Sequence, residues 1–111
     1  MLEPRQRARL AGAAHKLDPL ASLGRAGLTE AFAARLDTLL SHHELVKLRF
    51  QDFKERKREL SAELAERTRS ELVALIGNVA VFYRPAEDPE KRKYEAGEGG
   101  GERPVPRKGG L

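Results

Sequence analysis

The sequence predicts an α/β domain in which helices pack on a four-stranded mixed sheet. Segments of helical period alternate with short apolar segments that read as strands. The last two apolar segments, 72–76 and 79–83, are separated only by Gly77-Asn78, a hairpin connection. All of this precedes residue 86, after which apolar side chains almost disappear. The expected order is helix, strand, helix, strand, helix, strand, strand, in one compact domain whose last two strands are antiparallel.

The first helix is expected from Pro4, a favoured first helical residue, to about Lys16, with Pro19 ending it. Its Leu10, Ala14 and Leu17 supply an apolar side, while Arg5, Arg9 and Lys16 fall within ~40° of one another on another side. Leu20-Ala21-Ser22-Leu23 is a short strand candidate. Gly24-Arg25-Ala26-Gly27 follows, and Thr29 then caps a second helix over 30–43, with Glu30 at the positive end of its dipole and Phe32, Leu36, Leu39 and Leu40 at helical spacing. From 45 to 50 apolar Val46, Leu48 and Phe50 alternate with Lys47 and Arg49, the pattern of a half-buried strand. A third helix is expected over 53–69, with Phe53, Leu60 and Leu64 on one side and Glu55, Glu59, Glu63 and Glu66 in an adjacent sector. Phe32, Phe50 and Phe53 all sit on apolar faces and belong to the expected core. In the hairpin the common Asn-Gly order is reversed, which leaves the turn type open.

Composition limits the function. With 111 residues, 40% hydrophobic and 34% charged, the chain supports one modest core. No apolar run approaches the ~18 residues of a membrane span, and no apolar signal core follows Met1, so a cytoplasmic protein is expected. The absence of Cys excludes a disulfide framework, a thiolate zinc site, an iron–sulfur centre and a Cys nucleophile. Net charge is +4, and residues 1–28 carry five cations (Arg5, Arg7, Arg9, Lys16, Arg25) against two anions. Residues 86–111, rich in Gly, Pro and charge, are expected to form a disordered tail behind a domain of residues 1–85.

No catalytic constellation is visible, and an enzyme is not expected. His43-Glu44 opens like a zinc-protease motif, but Lys47 stands where the second histidine is needed. Adjacent His42 and His43 point ~100° apart on a helix and do not readily share a metal. His15 stands apart, and no metal or cofactor is expected. The serines form no nucleophile elbow, and there is no nucleotide-binding glycine fingerprint. The acidic sector of the third helix reads as a solvated face.

The sharper signal is Gly24-Arg25-Ala26-Gly27, between a strand and a capped helix. Two glycines let the backbone turn tightly and a ligand approach closely. The free amides and dipole of a helix N-terminus favour an anion, and Arg25 adds a fork suited to phosphate. Alone, such a motif also fits an ordinary turn; the nearby cations Arg5, Arg9 and Lys16 strengthen the anion-binding reading. Gly27→Val is expected to weaken ligand binding while leaving the fold largely intact. The sheet face bearing Lys47 and Arg49 is the next candidate surface.

Taken in order, several segments resemble the CRM domain (chloroplast RNA splicing and ribosome maturation), in the size of its stand-alone bacterial YhbY-type form. They are Ala14-His15-Lys16-Leu17-Asp18-Pro19, Leu23 to Glu30 with its G-x-x-G, His42-His43-Glu44-Leu45-Val46-Lys47, Ile76-Gly77 and Tyr83-Arg84-Pro85. The resemblance covers about Leu2 to Pro85. It implies a fold similar to the C-terminal domain of translation initiation factor three, RNA binding through Gly24–Gly27 and adjacent basic surface, and association with precursors of the large ribosomal subunit. Large-subunit ribosomal RNA, met by a monomer away from any membrane, is then the expected partner. A rival of another class is a protein-interaction module that docks on a ribosomal protein or GTPase through the acidic third-helix face. Two departures from the family stand out: Thr68 is followed by Arg69 where members commonly carry glycine, which puts the geometry of that helix end in question, and the Gly-rich tail has no family counterpart.

Overall fold

In the computed structural model, which describes residues 2–94, the chain folds as α1 (Pro4–Ala14), β1 (Ala21–Leu23), α2 (Glu30–His43), β2 (Leu45–Phe50), α3 (Lys57–Thr68), β3 (Glu71–Ile76) and β4 (Val79–Tyr83). The sheet order is β1-β2-β4-β3, with β1 parallel to β2 and the other two pairings antiparallel. The expected α/β class, element order and mixed four-stranded sheet are all present. No helix among the described residues is long and apolar enough to cross a membrane.

Strand alternation divides the core into two layers. Val46, Leu48 and Phe50 of β2 join Ala80 and Phe82 of β4 on one face, where Leu36 and Leu40 of α2 and Leu60 and Leu64 of α3 cover them. Leu45, Val73, Val81 and Tyr83 face the other way, against Leu10 and Ala14 of α1. One helix cannot cover a four-stranded face. The second face therefore stays open near the hairpin turn and near β1, where Ser22 and Arg49 are exposed and Ile76 is 63% exposed.

Three element ends differ from expectation. Helix α1 stops at Ala14 rather than Lys16, because the His15, Lys16 and Leu17 amides turn back to carbonyls two to four residues earlier in a tightened final turn. The third helix starts at Lys57, after a single 3₁₀ turn over Lys54–Arg56, because Phe53 takes a left-handed conformation (φ 58°, ψ 36°) instead of entering the helix. Its far end keeps the closure that glycine normally serves. Arg69 itself adopts φ 58°, and the Ser70 amide bonds back to the Ala65 carbonyl at 2.9 Å.

Residues 86–94, assigned by composition to the tail, run back across the domain. Glu44, 2% exposed, accepts the amides of Ala86 (3.0 Å), Lys93 (2.9 Å) and Tyr94 (3.3 Å) on its carboxylate. Tyr94 also packs against the α1-side layer. These contacts are made by backbone amides with a carboxylate, which an apolar count does not register. Residues 95–111, the remainder of the expected tail, lie outside the described residues.

Candidate nucleic-acid interface

Strand β1 delivers the chain to one end of the sheet, where Gly24–Gly27 closes a tight turn through a bond from the Gly27 amide to the Gly24 carbonyl, 3.0 Å. Arg25 and Ala26 are exposed at its tip. Thr29 then caps α2, its Oγ1 accepting the Phe32 amide at 3.0 Å, and the amides of the first turn have no intrahelical acceptor. The turn 51–53 is tied to the same place, because the Leu23 carbonyl accepts the amides of Gln51 and Asp52.

The two glycines do different work. Gly27 has φ +77°, and a Cβ built on it would stand 3.3 Å from Cε2 of the Phe53 ring. Gly24 has nothing within 4 Å of such an atom. Gly27 is thus required by the fold, and the expectation that Gly27→Val leaves it largely intact is corrected: the variant is strained twice, in its backbone and against Phe53. Gly24 is the position where a side chain would meet only an approaching ligand.

The expected cations separate into groups. Arg25 lies on the loop. Arg49 is exposed at the end of β2 nearest the loop, in register with Ser22 of β1 and Val79 of β4. Lys47, two residues earlier on the same face, is half-buried and donates to the Leu17 carbonyl at 2.8 Å. Arg5 and Arg9 are exposed on α1, with Lys16 exposed just beyond the helix end. The helix starts beside β3, where Arg7 donates to the carbonyls of Leu72 and Val73, and Arg5 stands ~13 Å along its axis from Ala14. The stripe therefore leads away from the loop, with Lys16 at its near end.

Sequence reasoning missed a run of cations that follows the residue packed on the loop. Phe53 touches Gly27, and Lys54 to Arg58 follow it directly. Lys57 is spent on the hairpin turn, donating to the Gly77 carbonyl (2.6 Å) and Asn78 Oδ1 (3.1 Å). Arg56 is paired with Glu59 at 3.2 Å; this hydrogen-bonded partner raises the Arg56 pKa and lowers that of Glu59. Lys54 and Arg58, like Arg25 and Arg49, have no side-chain partner among the described residues. Four cations within residues 54–58 were the available signal, masked by attention to the glutamates that follow.

The other end of the domain spends its charge internally. Arg84 donates to Asp37 Oδ1 (2.6 Å), the Thr68 carbonyl (2.7 Å), the Asp37 carbonyl (2.9 Å) and Ser41 Oγ (2.9 Å), tying β4 to α2 and the end of α3. A wide groove of about 830 Å³ lies there, with Arg67, Arg84 and Lys91 facing Asp37, Glu87 and Asp88. The acidic side of α3 is itself partly neutralised, since Glu59 pairs with Arg56 and Glu63 with Arg67 (3.0 Å). His42 and His43 are exposed, and no group of three His, Cys, Asp or Glu among the described residues is placed to hold a metal.

A four-stranded mixed sheet with one helix on one face, two on the other, and a cationic G-x-x-G loop between β1 and α2 defines a class of small α/β binding domain. The sequence matches the CRS1/YhbY (CRM) domain over residues 2–84, and the chain belongs to that family. It is 36% identical over 88 residues to a Haemophilus influenzae protein named as an RNA-binding protein, an alignment covering 78% of this chain and 89% of the relative. It is 31% identical over 96 residues to YqeI of Bacillus subtilis, covering 86% and 98% respectively. The solution structure of SAV1595 from Staphylococcus aureus superposes with a TM-score of 0.71 at 35% identity, covering 83% of this chain and 97% of that one.

Proposed function

We propose that this protein is a non-enzymatic, cytoplasmic RNA-binding protein that acts as a monomer on precursors of the large ribosomal subunit, gripping ribosomal RNA by its backbone. Family membership and the name of the Haemophilus relative support RNA as the ligand. The ribosomal role rests on the resemblance to the stand-alone bacterial CRM form. One observation carries the site: a tight loop, open to close approach at Gly24, bears Arg25, with Arg49 at the adjoining strand end and Lys54 and Arg58 following the Phe53 that packs on Gly27, and none of the four side chains has a partner among the described residues. Loop amides and guanidinium forks address phosphate and not base identity, so the loop itself contributes affinity with little sequence preference. The paired charges on α3 leave the rival protein-docking reading without a continuous acidic face.

Titration against ribosomal RNA fragments at several salt concentrations tests this reading. Log affinity should fall steeply with log salt, and Gly24→Val should weaken binding while its melting stays within ~0.5 kcal/mol of the parent. A flat salt dependence, or full affinity in Gly24→Val, rejects the loop as the site. Crosslinking in cells with read-out of the crosslinked nucleotides tests the ribosomal role.

A further inference from the structure

The open part of the α1-side sheet face holds an unassigned feature. Register places Ser22, Arg49, Val79 and Ile76 in one cross-strand row, running from the strand that leads into the loop to the far edge of the sheet. The row changes from polar and cationic to apolar along its length. At the apolar end, between α1 and the sheet, lies a pocket of about 150 Å³ lined by Ala11, Ala14, Ile76, Val79 and Val81 together with His15 and Lys47. That is well below the ~300–1,000 Å³ of a site for a drug-sized ligand, and it is on the scale of one small heterocycle. Ile76 is one of two exposed large hydrophobics among the described residues.

We propose that this pocket receives a single unstacked nucleobase from the RNA strand whose backbone is held at the loop and Arg49. The inference rests on the RNA-binding reading above and adds base selection to it. Strands lie ~4.8 Å apart, so Val79 and Ser22 are separated by ~10 Å, with Arg49 between them. A strand passing along the row meets phosphate-binding charge first and an apolar recess next. Single-stranded RNA is read through splayed bases, and here aliphatic walls and the His15 ring supply the contact that aromatic platforms supply elsewhere.

The polar part of the lining sets the preference. Lys47 spends one ammonium hydrogen on the Leu17 carbonyl and keeps two, and an ammonium group accepts nothing. With the exocyclic substituent at C4 of a pyrimidine or C6 of a purine seated against Lys47, uracil O4 and guanine O6 accept its hydrogen bonds, whereas the amines of cytosine and adenine at that position present donors to a donor. The pocket is therefore assigned to a base carrying a keto oxygen at that position, uracil or guanine.

Fluorescence anisotropy with short oligouridine, oligocytidine and oligoadenine, using the full chain, tests the assignment. Oligouridine should bind on the order of tenfold more tightly than the other two, as one good hydrogen bond allows. Ala11→Leu, which fills the pocket with a residue suited to α1, should remove that advantage. Ile76→Ala should reduce it without disturbing the buried core. Neither variant alters charge, so the salt slope should stay as in the parent, whereas Lys47→Met should level the three oligonucleotides. Equal binding of all three by the parent, or an oligouridine preference that survives Ala11→Leu, overturns the pocket while leaving backbone binding intact. Salt-dependent binding neither to these nor to ribosomal RNA fragments overturns the RNA reading and the pocket with it.

Discussion

The two ends of the sheet treat charge in opposite ways. At the end where β3 begins and β4 finishes, Arg84 makes four hydrogen bonds and Glu44 accepts three amides. Charge there holds the chain together. At the loop end, the side chains of Arg25, Arg49, Lys54 and Arg58 have no partner among the described residues. Charge there is left for something else. A basic composition alone does not separate the two cases; partner accounting does.

Substitutions at the two ends should accordingly dissociate binding from stability. The largest effect is expected from Arg25, Arg49 and Lys54 changed together to Gln: affinity for RNA falls ~100-fold, at ~1 kcal/mol per contact, and the slope of log affinity against log salt shrinks by ~2. The melting temperature should hardly move. Arg67 and Lys91 changed to Gln at the other end should leave both affinity and slope near the parent, and an equal loss there would erase the contrast.

Glu44→Ala should do the reverse. Three amides lose a charged acceptor, costing ~2–3 kcal/mol and lowering the melting temperature by ~10–20 °C, while a short RNA still binds. Thermal melts beside anisotropy separate the two outcomes; lost RNA affinity in a folded Glu44→Ala protein would show that residues 86–94 serve the interface.

Smaller again is Arg69→Gly, which places a glycine at φ 58° and should stabilise by ~0.5–1 kcal/mol, read as a rise in melting temperature. The least effect belongs to Glu59. Its hydrogen bond and attraction to Arg56 depress its pKa, so their contribution is full above the ordinary glutamate range and is lost as pH falls through the lowered value. A carboxyl titration by NMR should find Glu59 below the ordinary value and Arg56→Ala should return it there, with little change in melting because the pair lies exposed to solvent.

What the sequence made legible follows from where the signals are local. Helix α2 has its cap at Thr29 and buried Leu36 and Leu40 at helical spacing; β2 alternates from Val46 to Phe50. Both were readable to their ends. Phe53 was misread as helical because its left-handed turn is set by packing against Gly27, a partner 26 residues away. The division of labour between Gly24 and Gly27 depends on the sign of φ, which a glycine does not advertise. The row Ser22, Arg49, Val79, Ile76 exists only once β2 is known to lie between β1 and β4. The anchoring of residues 86–94 was hidden because its acceptor, Glu44, looked like any helix-end glutamate.

Strand β1 has three residues, sits at the edge of the sheet, and pairs with β2 alone. A strand so short, with one neighbour, belongs to the least protected part of a domain, where segments open and reclose far more often than the whole molecule unfolds. The loop rides on that strand, while the hairpin of β3 and β4 and the α3 layer do not depend on it. On the proposed reading, the element that grips RNA is mounted on the margin of the sheet held by the fewest strand pairings, where its pitch would adjust to an irregular backbone while the rest of the sheet keeps its shape.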